Sequence, residues 1–431
     1  MIQEWEPENG GAVVVEQIRP VTLADLEEIV RIIGRAYPGS ELLTEANRPA
    51  FAQRVKDTIE NDPHASFHGC YRDDKLIGIM KWFDFSMNVH GARMLTGGIG
   101  SVAVDLLYKK EKVAKQMLQS FLYTYRERGI SLVSLYPFRV DFYKRMGFGI
   151  GTKIHQYKIK PSSLPYRAKG SISYLGLADL EEILACYNRI ARKIHGMIAR
   201  SERQIKLFLE QPQRIVVGSR DSEGVLTGCI AFRFQRAHEE NRMHNNIAVE
   251  EFIYETREAF AQLLSFLHSQ ADQIQRILLS TQDEHLQHLL SDPGNGTDRL
   301  LPGIYHESNT SGVGLMYRII NVPLFFHQLS RQHFGTETCL VRFTVRDSFL
   351  PENEGSWLIQ FREGLPQVVE SGQAEVEAVM DISDFSSLAM GVVGFDKLYL
   401  YGLAEVDDET KLPLLQRLFA GLSKPICTTT F

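Results

Sequence analysis

Residues 103–122, AVDLLYKKEKVAKQMLQSFL, recur at residues 248–267 as AVEEFIYETREAFAQLLSFL, and the two stretches align without a gap. Each stretch begins as a short apolar run and continues with helical periodicity, so that Leu118 aligns with Leu263. A repeated strand-to-helix pattern of this length indicates that a supersecondary unit has been duplicated. The stretch therefore predicts two copies of one α/β unit.

Two further matches support the duplication. LADLEEI occurs at residues 23–29 and again, letter for letter, at residues 177–183, each time opening an amphipathic helical pattern. DDKLIGIMKWFDF at residues 73–85 corresponds to DSEGVLTGCIAFRF at residues 221–234, because each has a polar turn followed by an alternating strand. Each copy combines strands and helices in an order that predicts a mixed sheet covered by helices.

The pattern changes after about Gly303, where short alternating strands, beginning with GLMYRIINVP, are followed by two helix-like stretches. This order predicts a third domain of the α+β class. The stretch DPGNGTDRLLPG at residues 292–303 is rich in turn-forming residues and is the predicted linker. We expect three domains, at residues 1–160, 161–303 and 304–431.

Composition limits the classes of function. A chain of 431 residues exceeds one ordinary core, and its 44% hydrophobic and 23% charged content is typical of soluble proteins. No apolar run approaches the roughly 20 residues of a membrane helix, and MIQEWEPENGG lacks the apolar segment of a signal peptide. The five cysteines lack paired spacing, so we expect a cytoplasmic protein. A net charge of −6 gives no general reason to expect nucleic acid, and an anionic partner would need a local basic site.

One such basic site lies in the first copy. The strand-like stretch GGIGSVAV at residues 97–104 leads to a helix whose opening turn carries Lys109, Lys110, Lys112 and Lys115. Free N–H groups and the positive end of the dipole at a helix N-terminus favour a bound phosphate. A solvated face of an amphipathic helix would have the same pattern. The residues alone leave both interpretations open.

This strand, turn and helix resemble the acetyl-CoA element of the GNAT N-acetyltransferases, V-x-V-x-P-x-x-[QR]-x-x-G-x-[GA]. The two valines and the final alanine fit, whereas Leu106 stands at the proline position, Lys109 at the glutamine or arginine position and Lys112 at the glycine position. The resemblance implies that the acetyl donor, acetyl-CoA, is bound by Val102, Ala103, Val104, Lys109, Lys110, Glu111, Lys112, Val113 and Ala114. At Lys112 the side chain could obstruct the close approach that glycine permits, or could place a cation beside the phosphates.

A second motif follows about thirty residues later. In SLVSLYPFRVDFYKRMGFGIG, at residues 131–151, the pair Phe142-Tyr143 precedes Gly147-Phe148, as in the closing element of the GNAT fold. The resemblance implies that Tyr143 is the general acid. A phenol with a pKa of about 10 can protonate a leaving thiolate of similar basicity. Without the resemblance, a half-buried packing role is the plainer interpretation of a lone tyrosine.

The order of two such units and a domain like sterol carrier protein resembles the Eis (enhanced intracellular survival) family of N-acetyltransferases. The resemblance implies a homo-oligomer, a hexamer, and a C-terminal carboxylate that enters the first domain as the general base. The corresponding residue is Phe431. A terminal carboxyl normally titrates near pH 3.5, so this role requires burial that raises its pKa. A frayed chain end is the alternative.

The second copy lacks the basic turn, because IYETREAF presents Glu255 and Glu258 instead. Acidic side chains at a helix start repel phosphate, so we expect one catalytic site in each chain. The histidine pairs at residues 64 and 68 and at residues 285 and 288 have no further ligand nearby, and we expect no metal site.

The leading hypothesis is an acetyl-CoA-dependent N-acetyltransferase that acts on a small-molecule primary amine and contacts neither nucleic acid nor membrane. There are two alternatives. The first is a degenerate GNAT-fold protein that acts as a binding or regulatory module, and the second is a lipid carrier.

Overall fold

The computed structural model describes residues 16–431 except 43, 45–46, 168–169, 298–299 and 302. The N-terminal stretch considered above and part of the 292–303 linker therefore lie outside the described residues.

In chain order the helices are α1 (Leu26–Ala36), α2 (Arg48–Asn61), α3 (Val113–Glu127), α4 (Val140–Lys144), α5 (Leu180–Ala191), α6 (Glu202–Leu209), α7 (Arg257–His268), α8 (Val322–Gln328), α9 (Ile382–Ala389), α10 (Phe395–Leu400) and α11 (Leu412–Ala420). The strands are β1 (Glu16–Pro20), β2 (Ala65–Arg72), β3 (Lys75–Val89), β4 (Ala92–Val104), β5 (Leu132–Leu135), β6 (Gly149–Ile150), β7 (Ile154–Ile159), β8 (Ile172–Leu175), β9 (Ile215–Arg220), β10 (Leu226–Arg236), β11 (Asn245–Tyr254), β12 (Ile274–Thr281), β13 (Leu300–Leu301), β14 (Tyr305–His306), β15 (Thr310–Gly312), β16 (Met316–Ile319), β17 (Cys339–Arg346), β18 (Gly355–Arg362), β19 (Leu365–Val369), β20 (Val376–Asp381) and β21 (Ala404–Val406). No helix among these is both long enough and apolar enough to cross a bilayer.

Two seven-stranded sheets have the same plan, which confirms the duplicated mixed-sheet unit. The first has the order β1-β2-β3-β4-β5-β16-β6, and the second has the order β8-β9-β10-β11-β12-β7-β15. Each sheet contains one parallel pair, β4 with β5 and β11 with β12, among otherwise antiparallel neighbours. In both sheets the parallel pair is formed by the fourth and fifth strands of the order given above.

The repeated LADLEEI sequence forms the same structure in both copies. A short 3₁₀ turn, Leu23–Asp25 or Leu177–Asp179, leads directly into α1 or α5. The aspartate of each turn accepts a hydrogen bond from the backbone N–H three residues earlier, at 2.8 Å from Thr22 and 2.9 Å from Gly176. This bond satisfies an N–H group that would otherwise be exposed at the start of a helix.

The two sheets exchange their sixth strands, which differs from the expected domain division. β7, placed by sequence in the first unit, pairs with β12 of the second sheet. β16, expected to open the third domain, pairs with β5 and β6 of the first sheet. The expectation was wrong for these two strands because an alternating apolar pattern specifies a strand and not its partner.

The third domain contains the five-stranded sheet β19-β18-β17-β20-β21, in which only β17 and β20 are parallel. Helices α8 to α11 accompany this sheet, which confirms the α+β class. Its core is rich in buried phenylalanine, including Phe326, Phe343 and Phe385, and is continuous with Phe85 of the first sheet.

A buried ion pair joins the first sheet to the third domain. Arg318 on β16 donates from Nη2 to both carboxylate oxygens of Asp347 at 2.9 Å, and both side chains are fully buried. Asp347 also accepts hydrogen bonds from Leu350 and Asn353. A buried ion pair is tolerated when its geometry is good and further hydrogen bonds reach its carboxylate oxygens. The guanidinium lies directly against Gly147, which follows α4.

Replacing Gly147 tests this packing. A Cβ on Gly147 would lie 1.2 Å from Nη1 of Arg318, and its φ is +82°; Gly129 has φ +73° with no atom within 4 Å of its Cβ position. We expect Gly129→Ala to cost about 1–2 kcal/mol for the left-handed backbone. Gly147→Ala should cost about 1–3 kcal/mol more because it also overpacks the core. Equal losses of the free energy of unfolding, measured by chemical denaturation, would contradict the close packing.

Candidate active site

The site begins where two parallel strands part. β4 and β5 pair only at Gly97 with Val133 and at Gly98 with Ser134. β5 ends at the next residue, whereas β4 continues to Val104. No described strand pairs with the β5-facing edge of β4 beyond this point. The far half of β4 is therefore not covered by a strand on this edge, although the Tyr37 hydroxyl donates to the Val102 carbonyl.

Two adjoining cavities, together called the cleft, follow this free edge. Its larger part, about 870 Å³, extends from the lysine turn along Val102–Val104 to Phe349 of the third domain. Its smaller part, about 320 Å³, lies beside Gly100 and is lined by Tyr143. The two parts share Tyr37, Val102 and Phe138 among their lining residues. The cleft therefore connects the predicted cofactor residues with the predicted acid.

A β-bulge interrupts β4 within the cleft. Ile79 pairs with Ala103 and Lys81 with Gly100, so β4 contains one residue more than β3 at this point. Ser101 lies in the bulge with φ of +50°. Bulges redirect backbone groups and are frequent beside active sites. The sequence does not indicate this bulge, because serine carries no signal for a left-handed backbone.

The lysine turn forms a loop that ends at the N-terminus of α3. Lys110 and Lys112 have φ of 70° and 65°, and Lys112 is the N-cap residue of the helix. A lysine with this φ has the backbone conformation that glycine adopts most readily. The departure from the family pattern is therefore compatible with a glycine-like backbone at this position. Lys109, Lys110, Lys112, Val113 and Ala114 all line the cleft.

The remaining predicted cofactor residues divide into two groups. Val102, Ala103 and Val104 line the cleft with the turn, whereas Glu111 pairs with Arg72 at 2.7 Å. Glu111 is not among the residues that line the cleft.

Three glycines of β4 accommodate aromatic groups and the chain end. A Cβ on Gly97 would lie 2.4 Å from the Tyr125 ring of α3, on one face of the sheet. A Cβ on Gly98 would lie 2.3 Å from the Phe85 ring, on the other face. Gly100 shares that face and lies beside the end of the chain. The GGIG motif therefore serves close packing at the site.

Tyr143 is buried, with a relative accessibility of 3%, and its ring contacts Phe138, Phe142 and Phe148. Its hydroxyl makes no hydrogen bond to any described residue, whereas the Tyr37 hydroxyl donates to the Val102 carbonyl at 2.6 Å. Burial, with a smaller contribution from Tyr37, raises the pKa of Tyr143 above its usual value. Tyr143 is therefore protonated at neutral pH, and its proton is available in the cleft.

Phe431 lies on the first sheet beside Gly100, a residue that lines the smaller part of the cleft. Its ring packs against Phe83, Phe85 and Tyr136 with ring centroids 5.3, 4.8 and 5.3 Å apart. Its carboxyl carbon and one oxygen lie 3.4 Å from the position of a Cβ on Gly100. The structure thus brings Phe431 and Tyr143 to the same stretch of β4.

The second copy has lost the turn itself. β11 pairs with β12 as far as Val249 and runs to Tyr254, and α7 begins at Arg257. Only residues 255–256 connect strand and helix, compared with residues 105–112 in the first copy. The alignment of residues 103–122 with residues 248–267 has an offset of 145 positions. The last paired residues of the two strands, Gly98 and Val249, are 249 − 98 = 151 positions apart. The gap-free alignment is therefore correct for the helices and wrong for the strands.

The helix start of the second copy is occupied by its own side chains. Thr256 Oγ1 accepts a hydrogen bond from the Ala259 N–H at 3.1 Å. Glu255 pairs with Arg189 at 2.8 Å and with Lys193 at 2.7 Å. The backbone donor that would face a phosphate is therefore already satisfied.

Three segments of the chain match known domain families. Residues 17–151 and 196–319 each match an acetyltransferase (GNAT) domain family, and residues 322–428 match the sterol carrier protein domain family. The third match begins after β16, which lies at the end of the second match although it pairs in the first sheet.

Known proteins share this arrangement. An uncharacterized N-acetyltransferase of Streptomyces avermitilis is 24% identical over 359 residues, which are 78% of this chain and 80% of the relative. Among solved structures, a GCN5-related N-acetyltransferase from Anabaena variabilis has a TM-score of 0.79 at 18% identity, and covers 97% of this chain and 100% of its own. Eis1 from Mycobacterium abscessus has a TM-score of 0.73 at 20% identity, with the same coverage. At these identities the solved structures show a common fold.

The backbone at Lys112 can be tested without regard to its side-chain interactions. Because φ is positive, we expect Lys112→Gly to be more stable than Lys112→Ala by about 1–2 kcal/mol. At Lys115, inside α3, the order should reverse, with alanine favoured by up to about 1 kcal/mol. Chemical denaturation of the four variants measures both differences. The same order at both positions would contradict the left-handed turn.

Proposed function

We propose that this chain, a GNAT N-acetyltransferase with two GNAT domains and a C-terminal sterol carrier protein domain in the order of the Eis proteins, transfers the acetyl group of acetyl-CoA to a primary amine in its first domain. The observation that carries the proposal is the free edge of β4, which runs along one cleft from the lysine turn to Tyr143.

The donor would bind along this edge. Backbone groups of residues 102–104 can pair with the amides of the pantetheine arm in place of a neighbouring strand. The N–H groups at the start of α3 point toward the turn, and nearby lysines supply positive charge for the phosphates. The left-handed backbone at Lys112 supports this fit, because the turn has the shape that the family glycine provides.

Tyr143 is proposed as the general acid. The amine nitrogen forms a bond to the acetyl carbon, the carbon–sulfur bond breaks, and the Tyr143 proton passes to the leaving sulfur. Its hydroxyl is protonated at neutral pH and has no other partner among the described residues, so no competing hydrogen bond must break.

The Phe431 carboxylate is proposed as the general base. It would accept the proton that the amine loses as the carbon–nitrogen bond forms, and so complete the proton balance. Contacts of the Phe431 ring with three aromatic rings hold the end of the chain beside β4. Gly100 provides the space in which that group lies.

The acceptor is proposed to be a small-molecule amine, and two acidic residues of β11 do not give the site a preference for polycations. Glu250 is paired with Arg214 and Arg233, and Glu251 is paired with Arg200. These charges are already compensated, so they offer little attraction to a polycation. The alternative of a binding module without catalysis depends on Lys112 at the family's glycine position. The glycine-like backbone of Lys112 weakens this alternative.

Tyr143→Phe tests the proposal while retaining the ring. We expect kcat to fall by about 10² to 10⁴-fold with little change in the acetyl-CoA Kd, because only the proton donor is lost. Tyr123→Phe, on α3 outside the cleft, is the matched control and should keep wild-type kcat. Binding should weaken as salt is added.

Steady-state acetylation of an amine panel, together with calorimetric titration, measures these quantities. An unchanged kcat when chemistry is rate-limiting would remove Tyr143 from catalysis. Failure of the wild-type protein to bind millimolar acetyl-CoA would contradict the proposed acetyltransferase activity.

A further inference from the structure

A buried ion pair lies in the second domain, away from the cofactor cleft. Arg200 donates from Nη1 and Nη2 to the two carboxylate oxygens of Glu251 at 2.7 and 2.8 Å. The side chains are only 7% and 4% exposed. Such a pair does not by itself stabilise a fold more than apolar packing would, so its further contacts are informative.

These further contacts reach the end of the chain. Arg200 donates from Nε to the Thr429 hydroxyl and from Nη2 to the Thr428 carbonyl, each at 3.3 Å. The fully buried Tyr187 places its hydroxyl 3.0 Å from that of Thr429 and 3.3 Å from that of Thr428. The Arg200 guanidinium stacks on the Tyr187 ring at 4.1 Å. Two side chains of the second domain, Arg200 and Tyr187, thus converge on two consecutive threonines, and Glu251 holds Arg200 in place.

Further hydrogen bonds from both GNAT domains hold the same segment. The Cys427 N–H donates to Gln282 at 2.6 Å, and the Ile426 N–H donates to the His195 carbonyl at 2.8 Å. Tyr136, which follows β5 of the first domain, donates to the Thr429 carbonyl at 3.1 Å. The segment therefore passes from the second domain to the first.

The segment lies where β11 and β12 part, the place that corresponds to the cofactor cleft of the first domain. Ile426, Cys427 and Thr428 line a cavity of about 270 Å³ with residues 249–254 of β11. β11 also has a bulge, because Ala231 pairs with Glu251 and Phe232 with Val249. Glu251 follows this bulge, so the ion pair is built on the strand that would otherwise face a cofactor.

We propose that the second GNAT domain is a holder for the terminal segment, in which Arg200, Glu251 and Tyr187 are positioning residues that set where the Phe431 carboxylate meets Gly100. The inference rests on the proposed function, because it assumes that this carboxylate is the base. None of the three residues is a catalytic residue, since Arg200 and Tyr187 act through Thr428 and Thr429, and Glu251 acts through Arg200. Misplacement of a reacting group by about 1 Å can cost about 10²-fold in rate.

Tyr187→Phe and Thr429→Val test the proposal, because each removes a hydroxyl and retains the shape of the side chain. We expect each to lower kcat by about 10- to 100-fold, with the KM for acetyl-CoA changed less than about twofold. Hydrogen exchange of a peptide covering residues 422–431 should accelerate by about tenfold or more. The double variant should lose less than the sum of the two single losses in free energy, because both changes break the shared hydrogen bond between Tyr187 and Thr429.

Tyr157→Phe is the matched control. This buried tyrosine of the second domain bonds to Gln287 at 3.0 Å and does not touch the terminal segment. It should leave kcat and the exchange of the terminal peptide unchanged.

The two readouts separate the possible results. A slower kcat with faster exchange in both variants supports the holder, and unchanged exchange or unchanged kcat in both overturns it. If the wild-type chain transfers no acetyl group, the proposed function fails, while the exchange measurement still decides whether these residues hold the segment.

Discussion

The site depends on the early end of pairing between two parallel strands. β4 and β5 separate after Gly98 and Ser134, and the backbone of β4 beyond this point has an edge without a strand partner. An unpaired backbone edge needs hydrogen-bonding partners from water or a ligand. The cleft, the bulge at Ser101 and the lysine turn all lie along this edge. The same parting occurs in the second sheet, where the terminal segment of the chain lines the opening.

The exchange of strands makes the positions of the two clefts interdependent. β7 lies in the second sheet and β16 in the first, so neither sheet is complete without chain from the other unit. Arg318 on β16 then binds Asp347 in the third domain. At the junction of all three units, His90 and His195 stack at 4.0 Å and approach the carbonyls of Ala389 and Met390. These connections restrict relative domain motion. The proposed base comes from the last residue of the chain and depends on that restriction for its position.

Much of the fold could be predicted from sequence, because duplication and helix starts leave local signals. The repeated LADLEEI predicted two equivalent helices, and the lysine turn was correctly placed at a helix N-terminus. The strand exchange could not be predicted, because β7 and β16 alternate like any strand and carry no information about their partners. The left-handed Lys112 was equally hidden, since only glycine or asparagine signals such a backbone. The contacts of Arg200 with Thr428 and Thr429 join residues more than two hundred positions apart.

The most direct test of the central claim uses chemistry at a single group. Semisynthesis can provide the chain with Phe431 as its free acid or as its carboxamide, joined by the same ligation. The amide lacks useful basicity at neutral pH but retains the aromatic contacts of the ring. The carboxamide protein should bind acetyl-CoA and melt like the free acid, while its kcat for amine acetylation falls by about 10²-fold or more. Equal kcat values for the two proteins would contradict the assignment of the Phe431 carboxylate as the base.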